Sequence, residues 1–237
     1  MHEYEPKIVA FLDVLGFRTM TSLGSPAAEE RIALVDRNLT NVAVEVAEHS
    51  YRGIPFTAKL FSDCISLSSL NSDVGAAVVL ESVAVLSLWF AMDGLFLRGG
   101  IAVGRHFENE RMIFSEGLVR AYELESTLAR WPRTLVDESV EALALTHVPF
   151  LIRKDPHDGR RFVDYLEYCS NQQSDPGHPY DSHKRHIQIA LATHQANSQT
   201  LEKYEWLAAY HNAKLRELSK LENRRGVVRE SMFLREV

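Results

Sequence analysis

The stretch KIVAFLDVLGF, residues 7–17, joins a β-strand pattern to a charged side chain and a glycine. Its first eight residues are rich in β-branched and aromatic side chains, which predicts a buried strand. Gly16 and the serines that follow it predict a loop, because glycine permits turns that other residues disfavour. Asp13 therefore lies at the end of an apolar strand, where it is either a turn residue or a binding residue.

Composition limits the possible classes of protein. A chain of 237 residues with 46% hydrophobic side chains can build the core of one large domain. The formal charge of −6 gives no overall basic field for nucleic acid or an anionic membrane. Cys64 and Cys169 form no CxxC pair, so we expect neither a disulfide framework nor a zinc site.

The sequence also favours a soluble, cytoplasmic protein. The first residues are acidic where a signal peptide would be basic. The longest apolar segment, residues 75–94, is interrupted by Glu81, which makes a membrane span an unfavourable interpretation. We therefore expect neither a membrane nor a nucleic acid as partner.

Hydrophobic periodicity predicts the order β-α-β-β-α-β-α-β over the first two thirds of the chain, a mixed sheet with helices packed on it. Helices are predicted from Ser25 to about His49, over Val74–Met92 and over residues 115–131. Two short strands are predicted within residues 56–70, with Ser62 and Asp63 at the turn between them.

The last third is predicted to be mostly helical. Before it come strands at residues 133–137, 150–154 and 160–168, with a short helix from Glu138 to Leu145. A polar loop over residues 171–181 and one helix from about His183 to Leu221 follow. We expect a domain of residues 1–170, with residues 171–237 as a helical extension packed on it.

Asp13 and Asp63 each end a strand that is otherwise apolar. Either can be an ordinary turn aspartate. If the two strands are neighbours, both carboxylates lie at one edge of the sheet and suit Mg²⁺ or Mn²⁺. Two such ions suit an in-line displacement at phosphorus, and a turn at Gly16 would direct amides at an anion.

These motifs resemble those of class III nucleotide cyclases. FLDVLGF resembles the family segment F-x-D-[I/V]-x-G-F, KLFSD resembles K-x-x-G-D, and LRGGIAVG matches R-x-G-I-x-x-G. The resemblance runs from about residue 7 to residue 137. It implies an α+β fold, a class III adenylate/guanylate cyclase-like mixed sheet with helices packed on it, here plus a long C-terminal helix. Residues 1–170 would then be the catalytic domain.

The resemblance also implies roles for individual residues. Two Mn²⁺ or Mg²⁺ ions would bind Asp13, Asp63 and the carbonyl of Val14. The amides of Leu15, Gly16 and Phe17 would hold the triphosphate. In the family the sites form between two head-to-tail subunits, which implies a homodimer.

Two departures from the class III pattern indicate a subclass. Val119 and Glu123 stand where adenylate and guanylate cyclases carry Asn and Arg, and Ser62 replaces the turn glycine. The altered set, including LVRAYELE, is similar to the pyrimidine cyclases of the bacterial Pycsar anti-phage system. Those proteins are similar to class III cyclases but make cyclic UMP or cyclic CMP, and the similarity covers nearly the whole chain.

Four further residues have two interpretations each. Arg98 would pair with Asp13 or Asp63, or bind the triphosphate, because a guanidinium suits both carboxylate and phosphate. Lys59 is a candidate for base recognition or an ion-paired lysine. Tyr51 would line the base pocket or pack in the interior. Arg120 would replace the missing transition-state arginine or be a solvated helix residue.

The predicted function is cyclisation of UTP to 3′,5′-cyclic UMP and pyrophosphate, as a second messenger that a separate effector protein reads in anti-phage defence. Three alternatives stay open. The first is a cytidylate cyclase that makes cyclic CMP. The second is a non-catalytic nucleotide-sensing dimerisation module, and the third is a two-metal phosphodiesterase or polymerase-like palm domain.

Overall fold

A computed structural model describes residues 4–17, 24–49, 53–62, 64–172, 177–221 and 228–234. Within these ranges the strands are β1 (Glu5–Val14), β2 (Phe56–Phe61), β3 (Cys64–Leu70), β4 (Leu97–Glu108), β5 (Ile113–Ser115), β6 (Thr134–Val136), β7 (Ile152–Lys154) and β8 (Arg161–Val163). They form one sheet in the order β2-β3-β1-β4-β6-β8-β7, with β5 paired to β4. The β4–β6 pair is parallel and the other pairs are antiparallel, so the sheet is mixed.

Helices pack on this sheet and continue beyond it. The α-helices are α1 (Ser25–His49), α2 (Asp73–Met92), α3 (Glu116–Glu123), α4 (Glu138–Ala144), α5 (Tyr165–Gln172), α6 (Gly177–Thr193) and α7 (Ser198–Leu218). A π-helical turn, Leu124–Leu128, continues α3. The α+β class, the mixed sheet and a long C-terminal helix, α7, confirm the prediction.

Strand β1 lies at the centre of the sheet, between β3 and β4. Ile8, Val9, Ala10 and Leu12 are fully buried, which explains the continuous apolar run in the sequence. The register places Asp13 opposite Cys64 on one side and opposite Arg98 on the other. The β1 end that carries Asp13 is therefore fixed by pairing on both sides.

Helix α2 packs as a core helix. Within the described residues it is the one helix long and apolar enough to cross a membrane, but 83% of that segment is buried inside the protein. Ser72 caps it by accepting a hydrogen bond from the Gly75 amide at 3.0 Å. A Cβ atom at position 75 would lie 2.0 Å from the Leu70 carbonyl oxygen, so only glycine fits this close approach.

Helix α3 packs unusually close to β4 because both carry glycine at the contact. A Cβ atom on Gly100 would lie 2.4 Å from the carbonyl oxygen of Ala121, and one on Gly104 would lie 2.4 Å from the amide nitrogen of Gly117. Glycines within a strand let another backbone approach closely, and here the backbone of α3 approaches β4.

The C-terminal third differs from the predicted elements in two places. Residues 160–168 were predicted as one strand, but Asp164 accepts a hydrogen bond from the Glu167 amide at 3.2 Å and α5 begins at Tyr165. The predicted continuous helix from His183 to Leu221 is two helices, because Asn197 caps α7 by accepting from the Thr200 amide. Of the predicted loop at 171–181, residues 171–172 lie in α5 and residues 177–181 lie in α6.

Arg133 anchors α7 to the sheet. Its side chain is fully buried and forms ion pairs with Asp155 and Asp158. The guanidinium carbon lies 4.8 Å from the ring centre of Trp131 and 5.8 Å from that of Trp206. Trp206, on α7, donates its ring N–H to Asp155 at 2.9 Å. The C-terminal helices therefore share a buried polar core with the sheet, while the boundary at residue 170 stays a prediction.

Two buried histidines connect α5, α6 and α7 to the C-terminal segment. His211 Nε2 lies 3.0 Å from the carbonyl oxygen of Met232, which can only accept, so this nitrogen carries the proton. His211 Nδ1 then accepts from His183 Nδ1 at 3.0 Å, and His183 Nε2 accepts from the Tyr165 hydroxyl at 2.8 Å. With both rings neutral, every ring nitrogen has a hydrogen-bond partner in this arrangement. Burial lowers the pKa of His183 and of His211, the latter to about 4.

This arrangement predicts loss of stability in weak acid. Because the pKa of folded His211 is below that of an unfolded histidine, about 6.5, the unfolded chain binds more protons as the pH falls below that value. The free energy of unfolding should decrease by about 2 kcal/mol between pH 7.5 and pH 5 through His211 alone. Urea unfolding at both pH values measures this.

The control for this prediction is a pair of variants. His211→Gln should flatten the pH dependence, whereas replacement of the half-exposed His147 by Gln should leave it as in the wild-type protein. A free energy of unfolding that does not change between the two pH values would contradict the lowered pKa of the buried His211.

Candidate active site

Asp13 lies on the sheet face that α3 only partly covers. Directly opposed residues of antiparallel strands point to the same face. The register therefore places Asp13, Phe11 and Lys59 on one face, with Lys59 reached through Ser66 of β3. Tyr122 of α3 contacts Phe11 edge to face at 5.4 Å on that face. The predicted metal and base residues of β1 and β2 thus share a surface.

Arg98 is paired with two carboxylates. Its Nη2 atom lies 3.5 Å from Asp13 Oδ2 and forms a closer ion pair with Glu125 Oε1. The pairing with Asp13 is one of the interpretations that the sequence left open. Arg98 Nε is buried and has no hydrogen-bond partner in the described part of the chain. Binding of Arg98 to a triphosphate stays a prediction.

Glu125 is a member of this cluster that the sequence analysis missed. Its side chain is 4% exposed and lies in the π-helical turn after α3. Burial raises the pKa of Glu125 above its ordinary value, and the adjacent Arg98 opposes that effect. The sequence did carry a signal for Glu125. It follows Ala121 by four residues and so lies on the same, buried helix face, where a carboxylate needs a partner.

The C-terminal helix α7 also reaches this cluster. Lys203 interacts electrostatically with Arg98, Asp13 and Glu125, and its pKa is lowered by burial and then by the Arg98 charge. The ring centre of the neighbouring Tyr204 lies 5.9 Å from that of Phe96, which precedes Arg98 by two residues. No local motif distinguishes Lys203 from the other lysines, so the sequence alone could not identify it.

The turn after Asp13 has the geometry expected of a glycine turn. Gly16 adopts φ +80°, the left-handed region that favours glycine. The amide of Leu15, however, donates to the Phe96 carbonyl at 2.9 Å and so extends the pairing of β1 with β4 by one residue. In this structure the Leu15 amide is therefore used by the sheet, not free for phosphate. The amides of Gly16 and Phe17 stay candidates for phosphate contacts.

The β2–β3 turn explains one departure from the family motif. Ser62 stands at the position of the motif glycine and adopts φ 59°, the conformation that glycine takes most easily. Asp63, the next residue, and Tyr51, the second predicted base residue, both lie outside the described residues. Their predicted roles stay predictions, as does that of the carbonyl of Val14, whose side chain is buried.

Lys59 and Arg120 both have partners within the protein. Lys59 donates to the carbonyl of Asn109 and lies 3.8 Å from Glu108. Burial acts to raise the pKa of Glu108, but hydrogen bonds that include one from Ser68 at 2.7 Å hold it at about 2, so this carboxylate is ionised. Arg120 is exposed and donates to the Val103 carbonyl at 3.1 Å. The catalytic roles of both residues stay predictions.

A divalent metal ion is compatible with Asp13, although the described residues alone do not form a complete metal site. Within the described ranges, no group of three or more His, Cys, Asp or Glu side chains could hold a metal ion. Asp13 presents hard carboxylate oxygens, and 22% of its side chain is exposed. Its ion-pair partner Arg98 also pairs with Glu125. The donor chemistry therefore fits Mg²⁺ or Mn²⁺, with Asp63 as the predicted second ligand.

Comparison with known proteins gives similarity in fold. No protein-family model matches the chain, and no curated protein matches it. The monomeric guanylyl cyclase domain of a RhoGC fusion protein from the aquatic fungus Blastocladiella emersonii is 14% identical over 67% of this chain and 94% of that chain, with a TM-score of 0.49. The dimeric form of that domain is 13% identical over 68% and 97%, with a TM-score of 0.47.

A bacterial structure gives a similar result. The adenylate/guanylate cyclase/hydrolase from Silicibacter pomeroyi is 15% identical over 69% of this chain and 96% of that chain, with a TM-score of 0.47. At these identities the likeness concerns the fold.

Proposed function

We propose that this protein is a metal-dependent nucleotide cyclase that converts UTP to 3′,5′-cyclic UMP and pyrophosphate. The observation that supports this most is the combination at the end of β1: a carboxylate, Asp13, is followed by a left-handed turn at Gly16 on the sheet face that carries Lys59. Its biological role would be that of a cytoplasmic enzyme in bacterial anti-phage defence, with the product read by a separate effector protein.

The proposed reaction exchanges one P–O bond for another and releases the proton of the ribose 3′-hydroxyl to solvent. The ribose 3′-oxygen attacks the α-phosphorus, the bond from that phosphorus to the bridging oxygen breaks, and pyrophosphate leaves with the electron pair. Asp13, the Val14 carbonyl and Asp63 would hold two Mn²⁺ or Mg²⁺ ions. When bound, the ions would lower the pKa of the 3′-hydroxyl and neutralise phosphate charge.

Residues around Asp13 would orient the triphosphate. The left-handed turn at Gly16 supports amide contacts from Gly16 and Phe17 to phosphate oxygens. Arg98 pairs with Glu125 through its Nη2 atom, and the rest of its guanidinium group would donate hydrogen bonds to the phosphates. Arg120 would neutralise transition-state charge in place of the missing arginine, and its position on an exposed helix suits a contribution to the site of a second subunit.

Recognition of the base would rest on Lys59 and Tyr51. A lysine donates hydrogen bonds and therefore suits a carbonyl oxygen such as O4 of uracil, where cytosine carries an amine. This difference favours UTP over CTP, with cytidylate cyclase as the alternative. The ion pair with Glu108 would orient the Lys59 ammonium group.

A homodimer with sites at the interface is part of the proposal. The exposed surface of β5 and α3 carries large apolar side chains in a region that would face a second subunit: Phe114, Val119 and Tyr122. Burial of these side chains by a second copy would complete each site with residues of the other subunit.

The second candidate function is a non-catalytic nucleotide-binding module. It is favoured by Val119 and Glu123 at the positions of the transition-state pair, and by the Leu15 amide that is engaged in the sheet. Retention of Asp13 and Lys59 on one face favours the enzyme.

Incubation of the purified protein with each of the four ribonucleoside triphosphates and Mn²⁺, followed by mass spectrometry of the products, tests the proposal. Cyclic UMP from UTP is the expected main product. Cyclic CMP as the main product would indicate the cytidylate alternative, and cyclic AMP or cyclic GMP would refute the pyrimidine subclass. Binding without turnover would indicate the non-catalytic module, and a hydrolysed or extended product the phosphodiesterase or palm interpretation.

A further inference from the structure

One nitrogen of Arg98 is shared between two carboxylates of different burial. Nη2 is 3.5 Å from Asp13, whose side chain is 22% exposed, and in closer contact with Glu125, whose side chain is 4% exposed. Attraction between charges strengthens as water is excluded. Glu125 is therefore the stronger partner of Arg98, and Asp13 the weaker.

This sharing matters because a guanidinium and a divalent ion compete for the same carboxylate oxygens. A cation that sits on Asp13 both occupies its lone pairs and repels a second cation. Lys203 adds another positive charge near Asp13. Without Glu125, the two cations and Asp13 would sum to a charge of +1, and with Glu125 the four groups sum to zero.

We propose that Glu125 is a positioning residue that holds Arg98 back from Asp13, so that a divalent metal ion can bind the Asp13 carboxylate. The inference rests on the metal site of the proposed function. Glu125 lies in the π-helical turn Leu124–Leu128, and such turns are frequent at functional sites.

The backbone is adapted to this role. A Cβ atom on Gly100, two residues after Arg98 on the same strand, would lie 2.6 Å from Cβ of Leu124. A side chain there would push the π-helical turn away from β4. Glycine at this position therefore lets the turn approach closely enough for Glu125 to reach Arg98.

Direct measurement of Mn²⁺ binding to the full-length protein without nucleotide tests the inference. Free Mn²⁺ is counted by electron paramagnetic resonance. Glu125→Gln keeps the side-chain shape and removes the charge, so Arg98 should move fully onto Asp13 and Mn²⁺ affinity should decrease by about tenfold. Arg98→Gln added to Glu125→Gln should restore the affinity to within about threefold of the wild-type value.

Two further variants complete the experiment. Glu138→Gln removes the same charge from an exposed position in α4 and should leave Mn²⁺ affinity unchanged. Glu125→Asp keeps the charge and should lose less affinity than Glu125→Gln. It also tests the inference if the Gln variant does not fold, because Glu125→Asp combined with Arg98→Gln should then bind Mn²⁺ more tightly than Glu125→Asp alone.

The outcomes separate this inference from the proposed function. Unchanged Mn²⁺ affinity in a folded Glu125→Gln protein overturns it, and so does a double variant as weak as the single one, because Glu125 would then support only the fold. If Mn²⁺ binding behaves as expected but no triphosphate is cyclised, the proposed function fails and the positioning role stands. A wild-type protein that does not bind Mn²⁺ would overturn both the positioning role of Glu125 and the proposed metal-dependent function.

Discussion

Asp13→Asn is expected to reduce cyclic nucleotide formation by about a thousandfold or more, equivalent to roughly 4 kcal/mol of barrier. The amide has nearly the shape of the carboxylate, so the strand pairing of β1 with β3 and β4 should persist. The negative charge that would hold a divalent ion is lost, and an amide oxygen is a far weaker ligand. Loss of activity with retained fold is therefore the expected pattern.

Product formation from UTP with Mn²⁺, with circular dichroism melts of each variant, measures this effect. Asp181→Asn is the matched control, since Asp181 pairs with Arg229 at an exposed position and the same chemical change there should keep full activity. Wild-type rates in a folded Asp13→Asn protein would contradict the metal assignment.

Arg133→Met is expected to destabilise the protein by about 3–5 kcal/mol, because it leaves the buried carboxylate of Asp155 without its cation. Trp206 and the His157 amide still donate hydrogen bonds to Asp155, at 2.9 Å each, but neither carries a charge. The stacking of the guanidinium against Trp131 and Trp206 is lost as well.

The free energy of unfolding in urea at pH 7.5 measures this effect. Arg105→Met is the control, because the Arg105–Glu116 pair is exposed and such pairs contribute about 0–1 kcal/mol. A loss below about 1 kcal/mol in Arg133→Met would mean that Asp155 protonates or gains water at little cost, and would contradict the anchoring role.

The N-terminal half of the fold could be predicted closely because its signals are local. β1 is an apolar run that ends at an aspartate, the β2–β3 pair is interrupted by a serine and an aspartate, and α1 begins at a serine and has apolar residues at helical spacing. In the last third the predicted elements run through the breaks at Asp164 and Asn197. There each boundary depends on a single capping hydrogen bond, which the pattern does not reveal.

The residues of the candidate site also differ in how far the sequence predicts them. Asp13, Gly16 and Arg98 could be named as candidates because each belongs to a local sequence motif, and the structure places Asp13 opposite Arg98 on adjacent strands with Gly16 in the turn that follows β1. Glu125 and Lys203 come from elements that are distant in sequence, and their approach depends on a π-helical turn and on how α7 packs. The use of the Leu15 amide by the sheet likewise depends on where β4 begins to pair.

Within a single turn, helix α7 carries Trp206, which donates a hydrogen bond to Asp155 beside Arg133, and Lys203, which interacts electrostatically with Asp13. A change that weakens the packing of Trp206 against the Arg133 cluster therefore also moves the charge of Lys203 at the candidate site. If the protein has the proposed activity, truncation before this helix would not give a minimal catalytic unit, and a change in α7 would lower substrate turnover.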